Sequence, residues 1–215
     1  MLLGNFYLNT VLILVCSYLI GAFPTAFIAG KIKGIDIRKT GSTNVGGMNA
    51  YSNVGKIAGV LVIIVDMGKG ALVAWLAAKF SANHSFIGLL AVVTAIVGHN
   101  WMIYIGFKGG KGFSALVGAL FFLSPLSALF LYLYFMLAAI LLFKDIYVAE
   151  GVAMFFFAFF MWYREGSYYW CIFMLIVTII CSLKSLGLYK SYFTEDRRKV
   201  SPIFKKLFKP FFKTD

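Results

Sequence analysis

Charged residues are scarce in this sequence, and acidic residues are scarcer than basic ones. Asp, Glu, Lys and Arg make up 13% of the 215 residues, with 8 acidic residues against 20 basic ones. Hydrophobic residues make up 61%, and they gather in long runs. This pattern excludes an ordinary water-soluble domain and is typical of a helical protein that crosses a membrane several times. We therefore predict an all-α integral membrane protein.

Cysteine, proline and histidine are also rare, with 3, 4 and 2 copies. Cys16, Cys171 and Cys181 lie inside apolar runs and have no metal-ligand spacing, so we predict buried, unreactive thiols. We predict no bound metal and no cofactor. Lysine and arginine are absent before Lys31, so the first apolar run lacks the basic start of a signal peptide and is interpreted as a membrane span.

The apolar runs set the number of predicted spans. They cover about residues 7–30, 54–80, 85–107, 113–143, 148–163 and 167–188. The run 113–143 is too long for one upright span and short for two, since about 20 residues cross the hydrocarbon core. Ser124-Pro125 is a natural turn within it, because a residue before proline leaves the helical region.

The distribution of positive charge favours seven spans. The net charge of +12 is concentrated between and after the apolar runs, which indicates cytoplasmic loops and anionic lipid rather than nucleic acid. Seven spans place the loops 31–53 and 107–112 and the basic tail on the same, cytoplasmic side, with the N-terminus outside. We divide the chain into a membrane domain, 1–189, and a tail, 190–215, which is either an interfacial anchor or a disordered basic segment.

The segment 106–114, GFKGGKGFS, is the first candidate site. Glycine lets a backbone approach a ligand closely, and successive N–H groups with a following helix N-terminus suit an anion. Lys108 and Lys111 add positive charge, which favours phosphate. The Walker A spacing is not met. The candidate residues are Lys108, Gly109, Gly110, Lys111 and Gly112, and the alternative is a charged turn at the membrane edge.

The segment 41–49, GSTNVGGMN, is the second candidate, on the same predicted side of the membrane. It offers many hydrogen-bond donors, so the two segments are predicted to form one site. The alternative is a polar connector. Its candidate residues are Gly41, Ser42, Asn44, Gly46 and Asn49.

Three polar residues interrupt the apolar runs. Asp66 and Lys69 are spaced i, i+3 and are predicted to pair on one helix face, either as a structural pair or as a wall of the site. His99 is either a core residue or a group that moves a proton. The sequence contains neither an H-x-x-x-x-D acyltransferase signature nor a G-x-S-x-G elbow.

These segments together resemble the acyl-phosphate-dependent glycerol-3-phosphate acyltransferases (PlsY) of bacteria. The family has a DIR-x-x-G-S-G-N-x-G-A-T-N loop, an Asp-x-x-Lys-Gly span and a G-H-x-x-P-x-F-x-x-F-K-G-G-K-G loop. The matching residues are Asp36, Arg38, Gly41, Ser42, Asn44, Gly46, Asn49, Asp66, Lys69, Gly70, Gly98, His99, Phe107, Lys108, Gly109, Gly110, Lys111 and Gly112. Ser52 replaces a family arginine, Met102 replaces a proline, and the family's third motif, His-Arg-x-Asn, has no evident counterpart.

The resemblance implies acyl transfer from acyl phosphate to the sn-1 hydroxyl of glycerol 3-phosphate at the cytoplasmic face of a bacterial membrane. Its partners would be these two substrates and membrane lipids, with no nucleic acid. Ser42, His99 and Lys111 are the expected catalytic residues, and the remaining candidates, including Asp66 and Lys69, would bind substrate. The alternatives are a weak or altered homologue that binds acyl phosphate and a phosphate-ester transporter.

Overall fold

The structure is a computed structural model, and it describes residues 2–80, 85–143 and 146–193. Within these ranges the chain forms nine α-helices and one 3₁₀ turn. They are α1 (Leu2–Gly21), α2 (Thr25–Ile32), α3 (Gly47–Asn53), α4 (Lys56–Phe80), α5 (Ser85–Asn100), the 3₁₀ turn (Ile103–Ile105), α6 (Phe113–Leu123), α7 (Leu126–Phe143), α8 (Ile146–Glu165) and α9 (Tyr169–Phe193).

The surface of the bundle is suited to lipid. Two stretches, Phe6–Ile32 and Lys56–Lys79, are long and apolar enough to cross a membrane, and shorter apolar helices accompany them. Large apolar side chains such as Val11, Ile64 and Phe155 are exposed on the outer helix faces. The prediction of an all-α fold is confirmed, whereas the count of seven spans and the orientation stay predictions. Helix α9 passes the predicted boundary at 189, and the tail from 194 onward lies outside the described residues.

Two apolar runs end or break earlier than predicted. The run 7–30 is not continuous: α1 ends at Gly21 and α2 begins at Thr25, because Pro24 has no N–H to donate and restricts the residue before it. The run 85–107 ends as a helix at Asn100, and the chain then turns through the 3₁₀ segment.

The predicted turn at Ser124-Pro125 is confirmed, because Ser124 is extended (φ −110°, ψ 155°) between α6 and α7. Helix α6 has only 11 residues. At 1.5 Å per residue its length is about 16 Å, roughly half of a hydrocarbon core. Helix α6 therefore enters the bundle without crossing it alone.

Glycines let the central helices approach each other closely. A Cβ at Gly70 of α4 would collide with the carbonyl of Ala115 on α6, and a Cβ at Gly118 of α6 would collide with the carbonyl of Met67. This pair of contacts fixes α6, and therefore the loop that precedes it, against α4.

The expectation of three buried thiols holds only for Cys181. Cys16 is exposed on α1, and Cys171 is partly exposed. The reason is that an apolar run in a membrane protein buries one face against protein and presents the other to lipid. Position in an apolar run alone therefore does not predict burial against protein.

Candidate active site

The two glycine-rich segments lie side by side and are joined directly. The backbone N–H of Val45 donates to the carbonyl of Gly109 over 3.2 Å. A second link runs from the Arg38 guanidinium, whose Nη1 donates to the carbonyl of Ile105 over 3.4 Å. The prediction that the two segments come together is thus confirmed. We call segment 36–49 the first loop and segment 101–112 the second loop.

Arg38 is itself held within the first loop. Its Nε and Nη2 donate to the two carboxylate oxygens of Asp36 at 2.9 and 2.8 Å. Its guanidinium also lies 4.6 Å from the centre of the Phe27 ring. The hydrogen bond from Arg38 holds the pKa of the Asp36 carboxyl well below its usual range, so this pair stays charged at neutral pH.

The side chain of Asn49 connects several parts of the first loop by hydrogen bonds. Its Nδ2 donates to the carbonyls of Ile37, Thr40 and Asn44 at 3.3, 3.0 and 2.9 Å. Its Oδ1 accepts the backbone N–H of Ser42 at 3.2 Å and Nδ2 of Asn53 at 2.8 Å. The side chain is buried, and its amide is occupied by the loop itself.

The remaining candidates of the first loop differ in exposure. Gly41 has φ +60° and sits where a side chain would collide with Asn49 and Asn53, so the turn requires glycine. Ser42 is exposed, Asn44 is half-buried, and the buried Gly46 stands just before α3.

The second loop is pressed onto the end of α5. Its hairpin is closed by Phe107 N–H to Met102 O at 2.9 Å, and Gly110 N–H donates to His99 O at 2.9 Å. A side chain at Gly109 would collide with the carbonyls of His99 and Asn100, and one at Gly110 would collide with the His99 ring. The two glycines are therefore required for this close approach.

The two lysines of the second loop have different surroundings. Lys108 is exposed, whereas Lys111 is half-buried between the buried Gly110 and Gly112. Gly112 has φ +83° and stands just before α6. The first N–H groups of a helix have no intrahelical partner, and the helix dipole is positive there, so an anion beside Lys111 would be stabilised.

The polar residues predicted within the spans lie beneath the loops. Lys69 Nζ pairs with Asp66 Oδ1 at 2.6 Å, which confirms the i, i+3 pair, and it also donates to the carbonyl of Phe23 at 2.7 Å. That carbonyl stands at the break between α1 and α2. His99 is only 3% exposed and interacts electrostatically with both Asp66 and Lys69. Among the described residues, its Nδ1 has no hydrogen-bond partner.

Three buried or partly buried polar residues of the bundle were missed by the sequence analysis. Asn100 is fully buried, and neither atom of its amide has a hydrogen-bond partner in the described part of the chain. Lys184 of α9 lies 5.3 Å from the centre of the Trp101 ring and interacts electrostatically with His99. Glu150 of α8 is buried. The available signal was a single polar residue inside an apolar run, which is costly in a membrane and therefore informative.

Comparison with known proteins identifies the class to which this fold and site belong. The model of one protein family, described as glycerol-3-phosphate acyltransferase, matches residues 11–189. The match covers more than half of the chain and includes both loops. The chain therefore belongs to the glycerol-3-phosphate acyltransferase family.

Individual relatives agree with the family match. Glycerol-3-phosphate acyltransferase 1 of Dehalococcoides mccartyi is 33% identical over 80% of this chain and 85% of the relative. Glycerol-3-phosphate acyltransferase 2 of the same organism is 43% identical over 56% of this chain and 58% of the relative. The enzyme of that name from Chlorobaculum tepidum is 41% identical over 59% of each chain. The last two alignments thus span less than two thirds of the relatives' lengths.

A solved structure supports the fold over nearly the whole chain. It is the crystal structure of PlsY (YgiH), an integral membrane glycerol 3-phosphate acyltransferase, in its glycerol 3-phosphate form. The TM-score is 0.76 at 25% identity, covering 86% of this chain and 92% of that chain. A second structure, the lysophosphatidic acid form, has a TM-score of 0.74 at 24% identity and supports the fold alone. These bacterial and integral-membrane relatives place this chain in a bacterial membrane.

Proposed function

We propose that this chain transfers an acyl group from an acyl phosphate to the sn-1 hydroxyl of glycerol 3-phosphate, forming lysophosphatidic acid and inorganic phosphate. The proposal rests chiefly on the hydrogen bond between Val45 N–H and Gly109 O. This bond makes one site from two loops rich in glycine and hydrogen-bond donors, and both substrates carry phosphate. Membership of the family supports glycerol 3-phosphate as the acceptor, and the resemblance to the PlsY enzymes supports acyl phosphate as the donor.

The reaction needs no enzyme nucleophile, because an acyl phosphate is already activated. The sn-1 hydroxyl oxygen forms a bond to the acyl carbonyl carbon, and the bond between that carbon and the phosphate oxygen breaks. The phosphate leaves with the electron pair. We assign the hydroxyl proton to a phosphate oxygen, since His99 is 3% exposed and is covered by Gly110. The protein's task is then to position two anions and to stabilise developing charge.

The candidate residues receive the following roles. Lys108, Lys111 and the N–H groups around Gly112 hold phosphate at the start of α6. Ser42 and Asn44 orient the glycerol part or donate to the developing oxyanion. Asn49 was expected to do the same, but its amide is hydrogen-bonded within the first loop. We therefore assign Asn49 the role of stabilising the conformation of that loop.

The groups beneath the loops receive supporting roles. His99 supports the second loop through Gly110. Asp66 and Lys69 fix α4 to the break after α1, which favours the structural alternative over a wall of the site. Lys184 of α9, whose ammonium lies 5.3 Å from the centre of the Trp101 ring, adds a positive charge beside the start of the second loop. Ser52, which replaces the family arginine, is exposed and donates only locally, to Met48 O at 3.1 Å.

The test is phosphate release by the purified protein in detergent from palmitoyl phosphate, with and without glycerol 3-phosphate. We expect release that depends on glycerol 3-phosphate, with lysophosphatidic acid formed and no product from palmitoyl-CoA. Lys111→Ala should lower the rate by at least about 100-fold, because a charged donor to the phosphate is lost. Lys79→Ala removes a lysine near the C-terminal end of α4 and is the matched control. It should keep the wild-type rate.

Each alternative predicts a different result. A folded protein that binds acyl phosphate but releases no phosphate would be the inactive homologue. Movement of labelled substrate across vesicles without phosphate release would indicate the transporter. Full activity in Lys111→Ala would remove that lysine from the mechanism.

A further inference from the structure

A buried side-chain amide without hydrogen bonds lies beside the start of α6. Asn100 is the last residue of α5, and its exposed fraction is 0%. Among the described residues, neither Oδ1 nor Nδ2 of its side chain has a hydrogen-bond partner. Buried polar groups are almost always paired, because an unpaired group has given up its hydrogen bonds to water without replacement. The unpaired amide of Asn100 therefore indicates a partner that comes from outside the chain.

The amide faces the residue at which the proposed phosphate site begins. A Cβ built on Gly112 would lie 3.1 Å from Oδ1 and 3.7 Å from Nδ2 of Asn100. Gly112 has φ +83° and directly precedes α6. Rotation of the amide by half a turn exchanges its two polar atoms, so a donor can be presented at this position. The unpaired amide and the start of α6 thus lie next to each other.

The start of α6 offers further donors to the same ligand. This helix has 11 residues, and the first backbone N–H groups of a helix have no intrahelical partner. The helix dipole is positive at this end, and the half-buried Lys111 adds a full charge. Donors and positive charge together favour an anion with several acceptor oxygens. A phosphate group, which both proposed substrates carry, meets this requirement.

The backbone at Asn100 is fixed, whereas its cover on the side of α6 is thin. Trp101 N–H donates to Val97 O at 2.9 Å, and Tyr18 Oη donates to Trp101 O at 2.7 Å, so the end of α5 is held in place. Gly112 has no side chain and covers the amide with its backbone. An anion that enters at the start of α6 therefore reaches the amide by displacing the backbone at Gly112.

We propose that Asn100 is a phosphate-binding residue, whose Nδ2 donates to the phosphate group bound at the start of α6 once that group has displaced the backbone at Gly112. The inference rests on the proposed function, because it concerns the same phosphate site. The phosphate belongs either to glycerol 3-phosphate or to the acyl phosphate. Without ligand the unpaired amide lowers the stability of the protein, and with ligand it contributes to affinity.

The experiment compares Asn100→Leu with wild type in the full-length protein in detergent. Leucine has nearly the shape of asparagine and no polar atoms, so the ligand-free Tm should equal or exceed that of wild type. The Kd values for inorganic phosphate and for glycerol 3-phosphate should rise at least about tenfold, because a donor to a charged group is lost. Thr94→Val on α5 is the matched control, since its hydroxyl donates to Ala91 O at 2.8 Å. It should keep the wild-type Tm and Kd.

Steady-state kinetics identify the substrate that Asn100 binds. If KM for glycerol 3-phosphate rises at least about tenfold in Asn100→Leu while KM for palmitoyl phosphate is unchanged, the amide binds the acceptor substrate. The reverse result assigns the amide to the acyl phosphate. Both results support the contact between Asn100 and phosphate.

The possible results separate the inference from the proposed function. Unchanged Kd and KM values in Asn100→Leu would overturn the inference. A lowered ligand-free Tm in this variant would also overturn it, because the amide would then stabilise the protein without phosphate. The proposed function stands in both cases if wild type is active. Wild type that binds inorganic phosphate without catalysing transfer would overturn the proposed function, and weaker phosphate binding in Asn100→Leu would still support the contact.

Discussion

At the scale of residues, the side-chain amide of Asn49 shows how the conformation of the site is stabilised. Asn49 Nδ2 contacts three carbonyl oxygens, and Oδ1 accepts from the Ser42 backbone and from Asn53. A buried polar group of this kind rigidifies a loop only when all of its hydrogen bonds are made. The exposed Ser42 is thus held in place by a buried neighbour whose amide is hydrogen-bonded within the loop and to Asn53.

We therefore predict that Asn49→Ala destabilises the protein by about 2–4 kcal/mol, because several buried loop groups lose their partners at once. Thermal unfolding in detergent should show a lowered Tm, and transfer activity should fall with it. Ser52→Ala is the control on α3, since Ser52 is exposed and donates only to Met48 O of its own helix. An unchanged Tm with lost activity in Asn49→Ala would instead support the direct substrate contact expected from the sequence.

At the scale of elements, the position of helix α6 determines the position of the second loop, which directly precedes it. The helix is short, and its position comes from contact with α4 at Gly70 and Gly118, where a Cβ would meet backbone carbonyls. Helices in membranes are held by close packing of small residues, since lipid is as apolar as their side chains. The geometry of Lys111 therefore depends on two glycines that take no part in the proposed chemistry.

Gly118→Ala should consequently destabilise the bundle by about 1–3 kcal/mol, because the added methyl group forces α6 away from Met67. Gly68→Ala on α4 is the matched control, as a Cβ there meets nothing within 4 Å. That change should be neutral or stabilise by up to about 1 kcal/mol through helix propensity. Tm values and transfer rates of the two variants measure the difference, and equal values would show that the close approach of α4 and α6 is unimportant.

At the scale of the whole molecule, the ends of several helices meet at one side. Lys184, in the C-terminal half of α9, lies over Trp101 just after α5. The second loop, which begins at Trp101, leads directly into α6. Both loops lie at this side as well, since Val45 bonds to Gly109. We propose that this side faces the cytoplasm, because positive charge collects there.

Labelling with a membrane-impermeant thiol reagent tests this orientation. Lys33→Cys, which follows α2, should react in inverted vesicles, and Arg164→Cys, at the end of α8, should react in intact cells. The unsubstituted protein, with its three native cysteines, is the control for background labelling. Reaction of both positions from the same side would exclude the seven-span arrangement.

Several features followed from the sequence because they depend on local chemistry. Long apolar runs specify membrane helices, Ser124-Pro125 breaks one of them, and an i, i+3 spacing is enough to pair Asp66 with Lys69. The glycines and lysines of GFKGGKGFS indicated an anion site, because such a site needs close backbone approach and positive charge.

The rest was decided by tertiary structure, because it depends on which surfaces meet. The sequence could not show that the glycines at 109 and 110 are required by the end of α5, or that the amide of Asn49 is used up within its own loop. It also could not show that Lys184 lies over the Trp101 ring, since the two belong to elements that only helix packing brings together. Local composition fixed the kind of protein and the kind of site, and long-range packing in lipid decided which residues of that site reach each other.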